Sequence, residues 1–293
     1  MDPTRRLPAH MVDQVRAFAD GSQTPAEPRD AATVVLIRAG ATSDPGSLEL
    51  YLLRRHVDMA FAAGMAVFPG GGVDPRDFDH EVAWVGPSPA EWAELLGTDE
   101  SMARALVCAA VRETFEESGV LFAGATDDSI IDDTTGDDWE EDRRALEARE
   151  LSFTEFMQRR GLRLRTDLLR VWGSWLTPVF EPRRYRTTFF VAELPAGQVT
   201  RDVSTESEEV VWLSVGDALT AVEEKQMLML PPQYCTCLEL FDLTDPADVL
   251  AVAGSREIET VEPTAALDDE GAFLTIPDRL VALGVAVKER LSR

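Results

Sequence analysis

The chain has 293 residues, of which 45% are hydrophobic, so it is long enough to bury a sizeable core as one large domain or two small ones. It carries 53 acidic against 28 basic side chains, and the resulting net charge of −25 excludes polymeric nucleic acid and anionic membrane surfaces as expected partners. No apolar stretch reaches the length of a transmembrane helix, and the amino terminus lacks the apolar core of a signal peptide. With only three cysteines, the composition predicts a cytoplasmic protein.

The first hundred residues alternate apolar runs with turn-forming residues. They predict a helix at 11–19, strands at 31–37, 48–53 and 59–67, a glycine loop at 70–72, and a helix at 90–96. The first two strands are separated by a Gly/Ser/Asp/Pro turn, which is typical of a β-hairpin. Residues 74–101 would either shape a pocket or decorate the surface.

The second half of the chain begins with a stretch rich in Asp and Glu. We interpret residues 125–150 as a solvated surface excursion, with a place at the mouth of an active site as the alternative. The predicted elements are strands at 120–122, 169–176, 185–191 and 210–213, helices at 138–150, 153–160 and 215–224, a helix-rich region up to 253, and extended chain at 258–277.

One short stretch concentrates carboxylates at helical spacing. Glu113, Glu116 and Glu117 stand at i, i+3 and i+4, so an α-helix would bring them to one face, where their like charges repel. A hard cation with a preference for oxygen ligands, Mg²⁺ or Mn²⁺, would relieve that repulsion. Gly119 is suited to end the helix, and the opposite face is apolar, with Val107, Cys108, Val111 and Phe115.

This stretch, from Arg112 to Val120, resembles the second half of the Nudix box, in which Arg-Glu-x-x-Glu-Glu-x-Gly is followed by a bulky aliphatic residue. The resemblance implies an α/β fold, the Nudix α/β/α sandwich with a mixed β-sheet, here with a helical insertion and a carboxyl-terminal extension. It also implies a hydrolase of diphosphate bonds that uses Mg²⁺ or Mn²⁺. The predicted organisation is an amino-terminal segment 1–29, a Nudix domain 30–225 with insertions at about 74–101 and 125–168, and an extension 226–293 packed on the same domain.

The resemblance also implies roles for individual residues. Glu113 is expected to act as the base or to orient the attacking water, and Arg112 to form the ion pair that joins loop and helix. The expected metal ligands are the carbonyl of Gly70 and the carboxylates of Glu113, Glu116, Glu117 and Glu206. Glu206 lies six residues before Trp212 in an acidic loop, with Glu209 as the second choice and a plain acidic turn as the alternative.

The sequence departs from the family pattern inside the box. Arg112 lies 41 positions after Gly71, where the pattern has 14, so about 27 residues are inserted. The first glutamate of the pattern would fall at Arg104, and Asp99 and Glu100 are the candidates to replace it.

Further motifs, among them Phe-Pro-Gly-Gly-Gly-Val-Asp, are similar to the branch that includes the mammalian peroxisomal coenzyme A diphosphatase. The leading substrate is therefore a small molecule, coenzyme A or an acyl ester of it. ADP-ribose, a nucleotide sugar or a dinucleotide is the first alternative, and a non-catalytic nucleotide sensor the second. The residues expected to bind substrate phosphates are Arg55, Arg183, Arg184 and Arg186, although the last three would also suit neutralisation of the protein's own carboxylates. Because many relatives dimerise, a homodimer stays open.

Overall fold

The computed structural model describes residues 6–56, 62–205 and 207–292, apart from the side chain of His10. Helices lie at Ala9–Ala19 (α1), Pro89–Leu96 (α2), Glu100–Ser118 (α3), Asp137–Glu147 (α4), Phe153–Arg159 (α5), Val215–Glu223 (α6), Pro231–Leu240 (α7), Pro246–Ser255 (α8) and Asp278–Leu291 (α9). Strands lie at Arg29–Arg38 (β1), Glu49–Arg55 (β2), Ala66–Val67 (β3), Gly70–Gly72 (β4), Trp84–Val85 (β5), Ala123–Gly124 (β6), Arg163–Arg165 (β7), Arg170–Leu176 (β8), Tyr185–Glu193 (β9), Ser207–Ser214 (β10), Thr260–Val261 (β11), Thr264–Asp268 (β12) and Gly271–Thr275 (β13). In these described ranges no helix combines the length and apolarity needed to cross a bilayer.

The main sheet is built around β1, whose apolar run from residue 31 to residue 37 is buried throughout. Strands follow the order β10-β2-β1-β9-β8-β11, with β3 paired to β2 and β4 paired to β1. β1 and β9 run parallel from Arg29 opposite Tyr185 to Ile37 opposite Glu193, whereas β2 is antiparallel to both β1 and β10. A parallel pair that is covered on both faces requires continuous apolar runs, which is what these two strands supply.

Alternate side chains of β1 point into two separate hydrophobic layers. Val34 and Leu36 join the layer that contains α3, while Val35 and Ile37 join the layer that contains buried residues of α6, α7, α8 and α9. The period of two along the strand therefore places helices on both faces. The predicted α/β class, a mixed sheet between two layers of helices, is confirmed.

The segment inserted before α3 is part of the core. Its helix, α2, carries Trp92, which is 1% exposed and packs edge-on against Phe190 of β9. The indole N–H donates to the hydroxyl of Thr166 at 3.2 Å, and β5 joins β7 and β6 in a small three-stranded sheet. A large aromatic group buried in this way fixes the insertion against the main sheet.

Four sequence predictions differ from the structure, and the first is the glycine loop predicted at 70–72, which forms strand β4. Residues 120–122 form no strand, since the short β6 begins at Ala123, and of the strand predicted at 59–67 only Ala66–Val67 is formed, with 59–61 outside the described residues. The acidic helix α4 is not a solvated excursion on all sides. Trp139, Arg143 and Leu146 stand at i, i+4 and i+7 and turn one face of α4 towards α3, and the many carboxylates around them hid this pattern.

Candidate active site

Helix α3 has a side-chain cap at its first turn and a glycine at its end. The carboxylate of Asp99 accepts a hydrogen bond from the N–H of Met102 at 2.9 Å, which satisfies a backbone donor of the first turn. At the other end Gly119 has φ +75°, a left-handed conformation that glycine adopts without steric cost. The predicted helix therefore ends at the residue where the sequence placed its stop.

The glycine turn is held beside α3 by its pairing with β1, in which Thr33 lies opposite Gly70. The N–H of Gly70 donates to a carboxylate oxygen of Glu117 at 2.7 Å. A methyl group on Gly71 would lie 2.5 Å from the carboxyl carbon of Glu113, so no larger residue fits there without displacing that carboxylate. Two of the three predicted carboxylates are thus packed directly against the turn.

Arg112 joins the turn, the insertion and α3. Its side chain is 9% exposed and donates two hydrogen bonds to the carboxylate of Asp77, at 3.0 and 2.9 Å. It also donates to Glu113 at 2.6 Å, to Glu116 at 3.2 Å and to the carbonyl of Gly72 at 3.2 Å. A guanidinium group has five N–H donors in a fixed plane, which allows one side chain to make all of these contacts.

The carboxylates of this cluster outnumber its positive charges. Burial raises the pKa of Glu116 to about 7, and the charge of Glu113 adds to the shift, whereas Arg112 opposes it. Burial acts to lower the pKa of Arg112, but Glu113 and Asp77 outweigh it and the pKa lies above its ordinary value. One guanidinium group therefore faces several buried carboxylates, and the site has a deficit of positive charge.

Comparisons with known proteins agree with this geometry. A family model described as the NUDT19 Nudix domain matches residues 99–240, which include all of α3. The acyl-coenzyme A diphosphatase NUDT19 of Xenopus laevis is 26% identical over 267 residues, covering 78% of this chain and 70% of that protein. The protein of the same name from Gallus gallus is 25% identical over 280 residues, covering 80% and 73%. A NUDIX hydrolase structure from Alicyclobacillus acidocaldarius has a TM-score of 0.66 and 26% identity, covering 77% of this chain and 96% of that one.

Together with the geometry of the site, these matches indicate a Nudix hydrolase. Within that family it resembles the branch of the acyl-coenzyme A diphosphatases.

The acidic partner of Arg112 comes from the insertion. Neither Asp99 nor Glu100 takes the place of the missing box glutamate at the turn, because Asp99 caps α3 and Glu100 is exposed. Asp77 binds Arg112 instead and is 2% exposed. Asp77 also closes a capping box with Asp74 in a 3₁₀-helix, and the Asp-Pro-Arg-Asp spacing signals this local turn in the sequence but not the contact with Arg112.

Helix α4 packs against α3 and hydrogen-bonds to its backbone. Arg143, whose side chain is 2% exposed, donates to the carbonyl of Glu116 at 2.7 Å. The same guanidinium group binds Glu140 and Glu147, and Glu147 in turn accepts hydrogen bonds from the N–H and hydroxyl of Thr205, at 3.0 and 2.6 Å. The acidic segment therefore links α3 to the loop that precedes β10.

The donors around the turn fit a hard divalent cation by their chemistry. Across residues 6–56, 62–205 and 207–292, no three His, Cys, Asp or Glu side chains form a group that could hold a metal ion. Arg112 engages Glu113 and Glu116, and Gly70 engages Glu117. The carboxylate oxygens of these residues are the type of ligand that Mg²⁺ or Mn²⁺ prefers. The predicted ligand Glu206 lies outside the described residues, and Glu209 lies in β10 opposite Arg54.

The four arginines expected to bind substrate lie in two regions. Arg55 ends β2, opposite Ser207 of β10. The other three lie at the start of β9, and their environments differ. Arg183 is exposed, Arg186 is half exposed and pairs with Asp30 at 3.3 Å, and Arg184 is buried. The N–H groups of Arg184 bind the carbonyls of Thr177 and Ala26 and the carboxylate of Glu262.

Proposed function

We propose that this chain hydrolyses the diphosphate bond of coenzyme A or of an acyl ester of it, with Mg²⁺ or Mn²⁺ as the cofactor. The main observation behind the proposal is that the α3 carboxylates pack against the glycine turn. Arg112 is hydrogen-bonded both to these carboxylates and to a carbonyl of the turn. The choice of substrate is supported by the two acyl-coenzyme A diphosphatases that the chain resembles.

The residues of the site would have distinct roles in binding the metal and in activating water. The metal would be held by Glu116, Glu117, Glu113 and the carbonyl of Gly70, together with Glu206, which immediately precedes β10 in the sequence. A divalent ion bound there neutralises phosphate oxygens and lowers the pKa of bound water. Glu113 orients the attacking water or accepts its proton, and its contact with Arg112 fixes the carboxylate for that role.

The ion pair between Arg112 and Asp77 would fix the turn relative to α3, so that the metal-binding oxygens need not move during the reaction. The expected products are two monophosphates, which for coenzyme A are 3′,5′-ADP and phosphopantetheine. The net charge of −25 supports a small-molecule substrate rather than a polymeric nucleic acid. The three free, buried cysteines support the cytoplasm as the proposed compartment.

The test is a screen of coenzyme A, acetyl-coenzyme A, ADP-ribose, NADH and a nucleotide sugar, each with Mg²⁺ or Mn²⁺. We expect coenzyme A or its ester to give the highest kcat/KM. Glu116→Gln should lower kcat by about a hundredfold or more, because it removes charge where the phosphates are bound. Glu94→Gln is the matched control, since Glu94 is an exposed glutamate on α2 and should leave the rate unchanged.

Two results would count against the proposal. If ADP-ribose, NADH or a nucleotide sugar is hydrolysed faster than coenzyme A and its ester, the proposed substrate is wrong. If Glu116→Gln retains the wild-type rate, the proposed metal ligands are wrong even when coenzyme A is the substrate.

A further inference from the structure

A second cluster of charged side chains lies at one end of β1 and β9, the two central strands of the main sheet. A cavity of about 410 Å³ opens where the segment before β1 meets the segment before β9. Arg29, Arg183, Arg184 and Tyr185 are among the residues that line it. Arg29 and Tyr185 are direct neighbours in the parallel pairing of β1 with β9, so the position of this cavity is fixed by the sheet itself.

Two of its guanidinium groups have no ion-pair partner within residues 6–56, 62–205 and 207–292. Arg29 and Arg183 are exposed, and neither side chain makes an ion pair or a hydrogen bond with any other described residue. Arg184 is already neutralised by Glu262, and Glu27 is the single carboxylate among the lining residues. In a chain with a net charge of −25, the cavity is thus a local site of positive charge.

The cavity lies close to the catalytic end of the sheet. Gly70, whose carbonyl is the proposed metal ligand, lies opposite Thr33 on β1, and Arg29 comes four residues earlier on the same strand. At about 3.3 Å per residue, Thr33 and Arg29 are roughly 13 Å apart along β1, and the long side chain of Arg29 spans part of that distance. A substrate whose diphosphate lies at the glycine turn would therefore have this cavity within the reach of its own remaining groups.

We propose that the cavity binds a phosphomonoester of the substrate, a phosphate outside the diphosphate that is cleaved. A phosphomonoester carries close to two negative charges and three acceptor oxygens, and paired guanidinium forks match that charge and geometry. Arg29 and Arg183 are the residues that recognise it, and Arg184 holds the wall of the cavity through its bonds to Thr177 and Ala26. This inference rests on the proposed function, because coenzyme A carries such a group at its 3′ position and dephospho-coenzyme A does not.

The direct test measures binding without turnover. Titration calorimetry in the absence of metal compares 3′,5′-ADP with 5′-AMP, which differ by one phosphomonoester. The wild type should bind 3′,5′-ADP about tenfold or more tightly than 5′-AMP, and Arg29→Gln or Arg183→Gln should remove most of that difference. Arg159→Gln is the matched control, since it removes an exposed arginine from α5 and should preserve the difference.

A kinetic readout accompanies the titration. Arg183→Gln should raise KM for coenzyme A about tenfold, with kcat unchanged, and leave KM for dephospho-coenzyme A within twofold. Equal affinity of the wild type for the two nucleotides, or equal losses for both substrates in the variants, would overturn the inference. If the wild type hydrolyses neither substrate but still prefers 3′,5′-ADP through these arginines, the cavity assignment stands and only the proposed reaction falls.

Discussion

Replacing Arg143 with methionine tests whether the acidic helix α4 holds α3 in place. The guanidinium group makes four hydrogen bonds of 2.7 to 3.0 Å, two to Glu140, one to Glu147 and one to the carbonyl of Glu116. Methionine preserves much of the apolar stem and removes every one of these donors. The change therefore isolates the polar contacts from the packing of the side chain.

The expected cost follows from what is left without a partner. Removing one member of a buried ion pair costs about 3–5 kcal/mol, since the remaining charge stays desolvated. Here Glu140 keeps its bond to Arg201 and Glu147 keeps Thr205, and both carboxylates are about a fifth exposed. These remaining contacts place the loss at the lower end, about 3 kcal/mol in the free energy of unfolding.

Urea unfolding followed by the fluorescence of the six tryptophans, one of which is Trp139 on the same helix, measures this loss. Arg143→Lys should recover part of the stability, because lysine restores the charge without the planar fork. The matched control is Arg144→Met, on the adjacent residue. Its side chain is 73% exposed and pairs with Glu140 from the solvent side, so the change should cost no more than about 0.5 kcal/mol. Equal losses for Arg143→Met and Arg144→Met would refute the reasoning.

Three further predictions concern the turn, the acid range and the end of α3. Gly71→Ala should lower kcat/KM at least about tenfold, as measured with the best substrate of the screen, because its methyl group would displace the Glu113 carboxylate. The hydrogen bond from Arg143 lowers the pKa of Glu140 to about 2, from 4.5 in the unfolded chain, so its contribution to stability is complete above pH 4.5 and is lost between pH 4.5 and 2. As the pH is lowered across that range, the midpoint of urea unfolding should fall less steeply for Glu140→Gln than for the wild type. Gly119→Ala should cost about 1 kcal/mol in the same assay, since alanine at φ +75° is strained.

Local sequence patterns predicted the structure correctly where the result depended on a single helix or strand. The strands at the centre of the sheet followed from their buried apolar runs, and α3 followed from carboxylate spacing together with Gly119. The failures share a different cause. Asp77 reaches Arg112 across 35 positions of sequence, and Arg143 reaches the carbonyl of Glu116 across 27, so neither contact leaves a mark in local periodicity. Both depend on how separate elements pack.

The arginines near β9 show the same limit at closer range. Arg183 and Arg184 are adjacent in sequence, yet one is exposed at a cavity and the other is buried. Their difference depends on Glu262 and Ala26, which lie on distant segments of the chain. No sequence pattern pointed to Arg29 as a binding residue, because its place at the cavity depends on the pairing of β9 with β1.

The contacts of the last seventy residues restrict where the gene can be shortened. Leu238, Val249 and Leu280 supply apolar surface to the layer beneath the sheet, β11 extends the sheet along β8, and Glu262 neutralises the buried Arg184. A fragment that stops at residue 225 would expose that apolar layer to solvent. It would also leave the buried guanidinium group of Arg184 without its carboxylate partner. Truncated expression products of that length should accumulate in inclusion bodies, and a minimal catalytic unit must keep α7, α8 and α9.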